Sequence, residues 1–240
     1  MNRRILLAMF SLVLLLNQND FAIKANALET SSDDKISEQR TVPIFTGIEV
    51  SGGIEVVLTQ GDIQSVRVSV ESDKIEDLKT EVENNVLKIC FKTWKLKFTK
   101  AKVTICMKDI KSISCSCAAN IIAKSPIVSG KLELNISGAA RMKLNIKAIE
   151  INGELSGASD LELEGAAGYF DLGTSGASNC KGYGFTVAKA DISASGASEI
   201  KLTVDKELKA SASGGSRIKY KGTPKVIKEN ESGNSEISRD

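Results

Sequence analysis

The chain of 240 residues predicts an all-β fold: a right-handed parallel β-helix, a solenoid with coils of about 19–20 residues and a less regular N-terminal half. Three observations carry this reading. A phrase of small residues returns at near-constant spacing. The runs on either side of it alternate apolar and polar residues. The composition, with 5% aromatics and 19 glycines, suits a thin coil interior better than a broad globular core.

The phrase is Ser-Gly-Ala-Ser. It stands at Ser137-Gly138-Ala139-Ala140, Ser156-Gly157-Ala158-Ser159, Ser175-Gly176-Ala177-Ser178, Ser195-Gly196-Ala197-Ser198 and Ser213-Gly214-Gly215-Ser216. Ser116-Cys117-Ala118-Ala119 is an earlier copy and Ser232-Gly233-Asn234-Ser235 a degenerate later one. The spacing of about 18–21 residues lies in the range of solenoid repeats. Gly138, Gly157, Gly176, Gly196 and Gly214 are read as structural turn residues that permit positive φ, with small neighbours that let stacked turns approach. A ladder of serine hydroxyls could also bind a sugar or an ion. The reading adopted is a structural corner, repeated because every coil has one.

After each phrase comes a period-two run: Leu161 and Leu163; Ile200, Leu202 and Val204; Ile218 and Tyr220. Polar residues such as Asp160, Glu162, Glu199, Lys201 and Lys219 fall between them, the pattern of a half-buried strand. A second run precedes the next phrase: Ile149 and Ile151; Phe170 and Leu172; Val187 and Ile192; Leu208, Ala210 and Ala212. Each repeat is therefore strand, bend, strand, tight turn. Such a repeat is too short for a βαβ unit and cannot bury its apolar face alone. Stacking copies in parallel makes continuous apolar columns, and crossovers of this kind are almost always right-handed.

Residues 1–27 read as a secretory signal peptide, with Arg3 and Arg4, an apolar run from Ile5 to Leu16, and Ala25-Asn26-Ala27 as the cleavage motif. That run is too short to span a bilayer, and no transmembrane segment is expected. Residues 28–41 are polar and read as a flexible leader. The domain is placed at 42–240. Its first strands are Ile48–Val50 and Ile54–Leu58 about Ser51-Gly52-Gly53, which echoes the later phrase. Val66, Val68 and Val70 alternate again. Asp73 to Glu83 has Ile75, Leu78 and Val82 at helix-like spacing and suggests one or two helical turns. Asn84-Asn85 suggests a hairpin leading into Val86, Leu87 and Ile89.

The ordered motifs Phe45-Thr46-Gly47-Ile48-Glu49-Val50, Gly53-Ile54-Glu55-Val56, Gln60-Gly61-Asp62, Asn85-Val86-Leu87-Lys88-Ile89 and the repeated Ser-Gly-Ala-Ser resemble the head GIN domain family. Its members are exported proteins of Bacteroidetes-type bacteria described as auto-transporter adhesins. The resemblance covers Val42 to the C-terminus and implies a right-handed β-helix and an adhesin-type role.

The chemistry available is narrow. The chain has no histidine, which removes Ser-His-Asp triads, Cys-His pairs and His-based metal sites. No nucleophile elbow, phosphate loop or calcium-binding nonapeptide is present, and no catalytic residue, cofactor or metal is assigned. Outside residues 1–27 the formal charge is zero, so no nucleic-acid partner is indicated. Cys90, Cys106, Cys115, Cys117 and Cys180 read first as small buried residues, with Cys115 and Cys117 facing one way along a strand; a disulfide between coils is the alternative.

The candidate ligand contacts are Trp94, Lys95, Lys97, Tyr169 and Tyr183. Trp94, Leu96 and Phe98 alternate with Lys92, Lys95, Lys97, Lys100 and Lys102, so one face of a strand could stack on glycan or the other meet an anionic polymer. An ordinary amphipathic strand with its lysines in water explains the same pattern. Tyr169 and Tyr183 lie in glycine-rich bends and could form a sugar platform or fill a bulge. The function expected is that of an exported, non-catalytic envelope or cell-surface protein that contacts glycans or envelope components, with homo-oligomers through the β-helix ends as a further option. The alternatives are a polysaccharide lyase or hydrolase on a β-helix, and a periplasmic scaffold.

Overall fold

The computed structural model describes residues 35–93, 95 and 99–240. The signal-peptide reading of residues 1–27 falls outside them. The fold is all-β: stacked parallel coils form a solenoid of about 7 turns, with one strand before each small-residue turn and one after it.

The regular part stacks β10 (Ile127–Ile136), β11 (Arg141–Leu155), β12 (Asp160–Thr174), β13 (Asn179–Ala194) and β14 (Glu199–Gly214), then β15 (Arg217–Lys221), β16 (Lys225–Gly233) and β17 (Glu236–Arg239), all in parallel register. From β11 to β14 each strand runs unbroken through the bend. Its first half therefore lies on the post-turn sheet and its second half on the pre-turn sheet. The expected columns are present. Val56, Ile121, Met142, Leu161, Cys180, Ile200, Ile218 and Ile237 stack on the post-turn side, and all are buried. Each fully buried Ile or Leu in such a column contributes about 2 kcal/mol. On the pre-turn side the column Ile136, Leu155, Thr174, Ala194, Ala212 shrinks toward the C-terminus. Phe170 and Phe185 are buried and pack edge to face, with ring centroids 5.6 Å apart.

The N-terminal half starts on the same plan. β2 (Gly47–Ser51) and β3 (Ile54–Gln60) form one level, and β8 (Ser112–Ser116) and β9 (Asn120–Ala123) lie beside them in parallel. On the other side of β2 and β3 lie β6 (Val86–Phe91) and β7 (Ala101–Met107), also parallel. Antiparallel strands then finish this end: β5 (Leu78–Glu83) on β6, β4 (Ser65–Glu71) on β7, and β1 (Lys35–Arg40) on β4.

Four expectations are corrected here. Lys35–Arg40, assigned to the flexible leader, is strand β1; the Arg40 guanidinium donates to the Ile75 carbonyl at 2.9 Å and anchors it. Asp73–Glu83 is not helical beyond a single 3-10 turn at Ser72–Lys74. Its apolar residues belong instead to the end of the core and to β5, held by the Asn84-Asn85 turn at φ 51° and 63°. The described residues between Phe91 and Ala101 are not a strand, so the lysines there do not alternate along one; Lys102 alone lies in β7. Cys115 and Cys117 do not face one way. Cys115 is buried at the end of β8, whereas Cys117 is exposed in the turn at φ 64°, where later coils place glycine.

Candidate functional site

The turn corner is built by the small-residue phrase. Gly138, Gly157, Gly176, Gly196 and Gly214 have φ between 73° and 77°. A Cβ on Gly176 would stand 2.5 Å from the Gly157 carbonyl oxygen. A backbone ladder climbs the corner, with Ala158 N donating to Gly138 O, Ala177 N to Gly157 O and Ala197 N to Gly176 O at 2.7–2.8 Å. The two serines of the phrase do different work. The last serine is buried and staples the turn: the Ser178, Ser198 and Ser216 hydroxyls donate to the carbonyls of Ser175, Ser195 and Ser213 at 2.6–2.9 Å. The first serine lies outside. Ser137, Ser156 and Ser175 are exposed, and Ser195 and Ser213 half-buried.

Beside these outer serines runs a second outward column on the pre-turn sheet: Ser114, Asn135, Glu154, Gly173, Ser193, Ser211 and Asn230, in register from coil to coil. Together the two columns form a polar trough along the solenoid. One cleft of about 580 Å³ is lined by Glu154, Ser175, Ser193, Ser211 and Asn230, among others. A second, of about 320 Å³, includes Glu49, Ser114, Asn135, Ser156 and again Glu154, so the two meet at that carboxylate. The Ser156, Ser175, Ser193 and Ser211 hydroxyls have no protein partner among the described residues. The trough can therefore offer hydroxyls, amides and carboxylates to a neutral polar ligand.

The candidate contacts named from sequence are not gathered in one place. Trp94 and Lys97 lie outside the described residues. Lys95 is exposed. Tyr169 is half-buried on the pre-turn sheet, in register between Glu150 and Lys189. Burial, and then Asp171, raise its hydroxyl pKa. Tyr183 stands on the other face of the bend, with Lys221 Nζ 4.3 Å from its ring centre and its hydroxyl donating to Asp240 at 2.9 Å. Burial and that hydrogen bond push it up to about 12. Phe185, from the same glycine-rich bend, is core.

Several charged groups pair across coils: Arg141 with Asp160, Lys143 with Glu162, Lys131 with Glu150 and Lys189 with Glu207, all at the surface. Asp171 and Asp191 are directly opposed carboxylates. Burial, and then Asp191, hold Asp171 above the usual carboxylate range. They lie outside both clefts of the trough, and Lys209 stands 3.9 Å from Asp191. Burial pushes the Cys115 and Cys180 thiols up to about 12, so both are packing groups rather than nucleophiles. The serine ladder that the sequence offers as a sugar site, and that was set aside there for a structural corner, is one column of the trough; the second column was missed in sequence. Its signal was there, a Ser, Asn or Glu two positions before every first serine of this run except Ser175, where Gly173 stands, but only the register shows that these residues line up.

The family described as "Putative auto-transporter adhesin, head GIN domain" matches residues 44–224. The chain belongs to the head GIN domain family. Among solved structures, a "putative adhesin" from Bacteroides fragilis NCTC 9343 aligns with TM-score 0.81 at 20% identity, over 87% of this chain and 98% of that one. A "putative adhesin" from Parabacteroides distasonis ATCC 8503 aligns at 0.71 and 23% identity, again over 87% and 98%. A "Putative lipid binding protein" from the same strain aligns at 0.64 and 19%, with the same coverage. At these identities the likeness is one of fold. No curated protein matches the chain. Among the described residues, no helix is long and apolar enough to cross a membrane.

Proposed function

We propose that this head GIN domain protein is exported and acts as a non-catalytic, adhesin-type binding protein of the cell envelope or surface, holding an extended glycan along the turn-corner trough. The observation that carries the reading is the trough's repetition. The same pair of outward polar positions recurs on successive coils at the strand spacing of about 4.8 Å, and several of its hydroxyls have no protein partner. A polymer of repeating polar units meets such a surface with many weak contacts, each modest alone and large together. Export rests on the features of residues 1–27, and the adhesin role on the family.

The non-catalytic reading rests on the family and on its structural neighbours, described as adhesins rather than enzymes, together with the absence of histidine. Screening the chain from Leu28 against an array of plant, bacterial and host glycans tests the proposal. Binding to extended polysaccharides is expected, with loss in Ser193→Trp and Ser211→Trp, whose side chains fill the trough. Absence of any glycan ligand, or binding unchanged in both variants, would sink it.

A further inference from the structure

The exposed large hydrophobic residues among the described residues are Ile44, Ile63, Val128 and Ile149, with 80, 81, 61 and 74% of their surface open. Scattered singly they would mean nothing. All four lie on the bend corner, on the side away from the small-residue turns, Ile44 and Ile63 in the N-terminal half and Val128 and Ile149 in the first two strands of the regular stack. Hydrogen bonds show that their segments adjoin. Gln64 donates to the Pro43 carbonyl and accepts from Phe45 N, which sets Ile63 beside Ile44. Lys111 N donates to Thr46 O, and the Ser129 hydroxyl to Ile110 O. The Gln60 side chain binds both Lys108 O and the backbone of Val128. Val128 and Ser129 pair with Lys147 and Ala148, next to Ile149. Period-two counting would turn Ile149 inward with Ile151; instead the bend in β11 turns it out.

Lys108, Lys111, Lys124 and Lys147 are exposed on the same corner, against the carboxylates Asp62 and Asp109. Lys108 lies 3.7 Å from Asp62. Further along the corner the bends carry small or polar residues: Ala166 and Gly168, then Ala188, then Asp205 and Lys206. The patch is thus local, convex, apolar at its tips and basic between them. A specific protein interface is built round a largely uncharged core and buries roughly 1,000 Å² or more in total, whereas here exposed lysines stand between the apolar tips. A lipid interface has no such demand. It accepts separate apolar tips below the headgroups while lysines meet anionic phosphates. We propose that this corner docks on an anionic membrane surface, leaving the trough on the opposite corner turned away from it. The proposal is independent of the glycan reading.

The test is co-sedimentation of the chain from Leu28, which retains the whole described solenoid, with phosphatidylcholine vesicles containing or lacking 30% phosphatidylglycerol. Sedimentation with the anionic vesicles and weakening in salt are expected. Ile44→Asn/Ile63→Asn/Ile149→Asn should lower vesicle affinity at least about tenfold with an unchanged melting temperature, since the side chains are exposed. Lys111→Gln/Lys124→Gln/Lys147→Gln should lower it by about tenfold or more and flatten the salt dependence. Ser193→Trp, across the solenoid, should bind vesicles as before. No binding to anionic vesicles overturns the proposal, as does equal binding by the isoleucine triple variant. Binding to neutral vesicles alone overturns the lysines' part. Cell attachment that depends on the corner without any vesicle binding would assign it to a protein partner and overturn the lipid assignment.

Discussion

Glycine and serine carry most of the specification at the turn corner, and each can be tested singly. Gly176→Ala places a side chain at φ 75° and 2.5 Å from the Gly157 carbonyl oxygen. It should cost well over about 1 kcal/mol, read as a fall in the denaturation midpoint. Gly130, in β10 with nothing within 4 Å of an added Cβ, serves as the control and should tolerate alanine. Cys117 is the converse case, a left-handed residue with a side chain; Cys117→Gly should stabilise by up to about 1 kcal/mol. The staple serines separate in the same way. Ser198 bonds both the Ser195 carbonyl and the Thr174 hydroxyl, each at 2.9 Å, and its alanine variant should lose about 1 kcal/mol. Ser159 is buried with its hydroxyl unpartnered, so Ser159→Ala should be neutral or stabilising. The need for glycine was legible in the repeated phrase. The split between buried and outward serines was not, because four residues of turn carry no period that tells inside from outside.

At the scale of elements, what was legible is what repeats. The strand, bend, strand, turn unit follows from alternation at Leu161 and Leu163 or at Ile200, Leu202 and Val204, and the hairpin from Asn84-Asn85. The misreadings fall where the repeat lapses. Ile75, Leu78 and Val82 mimic helical spacing because they finish the end of a core rather than line one face of a helix. Ile149 escapes its alternation because β11 bends there. Lys35–Arg40 looked like leader because an edge strand pairs on one side only, so it needs few apolar residues. Yet β1 covers β4, with Ile36 packed against the core. A chain beginning at Thr41 should therefore melt lower and aggregate more readily through the bared edge of β4, which light scattering during a thermal ramp will show. Charge tells a related story on the pre-turn sheet. Asp171 is raised by burial and by Asp191, so the folded state holds its proton more tightly than the unfolded chain. The sign follows: ionisation on going above the ordinary carboxylate range costs stability, and the cost is absent at lower pH, where both states are protonated. Asp171→Asn should raise the melting temperature at pH 7, with a gain that shrinks on acidification.

For the whole molecule, the solenoid turns one residue choice into a line of equivalent positions. The polar trough is such a line, and so is the apolar column behind it. The fold was legible in the sequence because its repeat is written in glycine spacing. The candidate site was legible only in its serine ladder, because the companion column arises from register between coils, and the aromatic and lysine candidates drew attention to residues that the fold scatters: Tyr169 and Tyr183 stand on different faces of the bend. The central claim is that a repeating trough holds a repeating polymer. Titration calorimetry with size-fractionated oligomers of a glycan found on the array tests it most directly. The outer serines from Ser51 to Ser232 span about 34 Å at the strand spacing. Affinity should rise with oligomer length until that span is filled and then level off, and Ser193→Trp should shorten the rise. Affinity independent of length, or a length dependence unchanged by that substitution, would contradict the account.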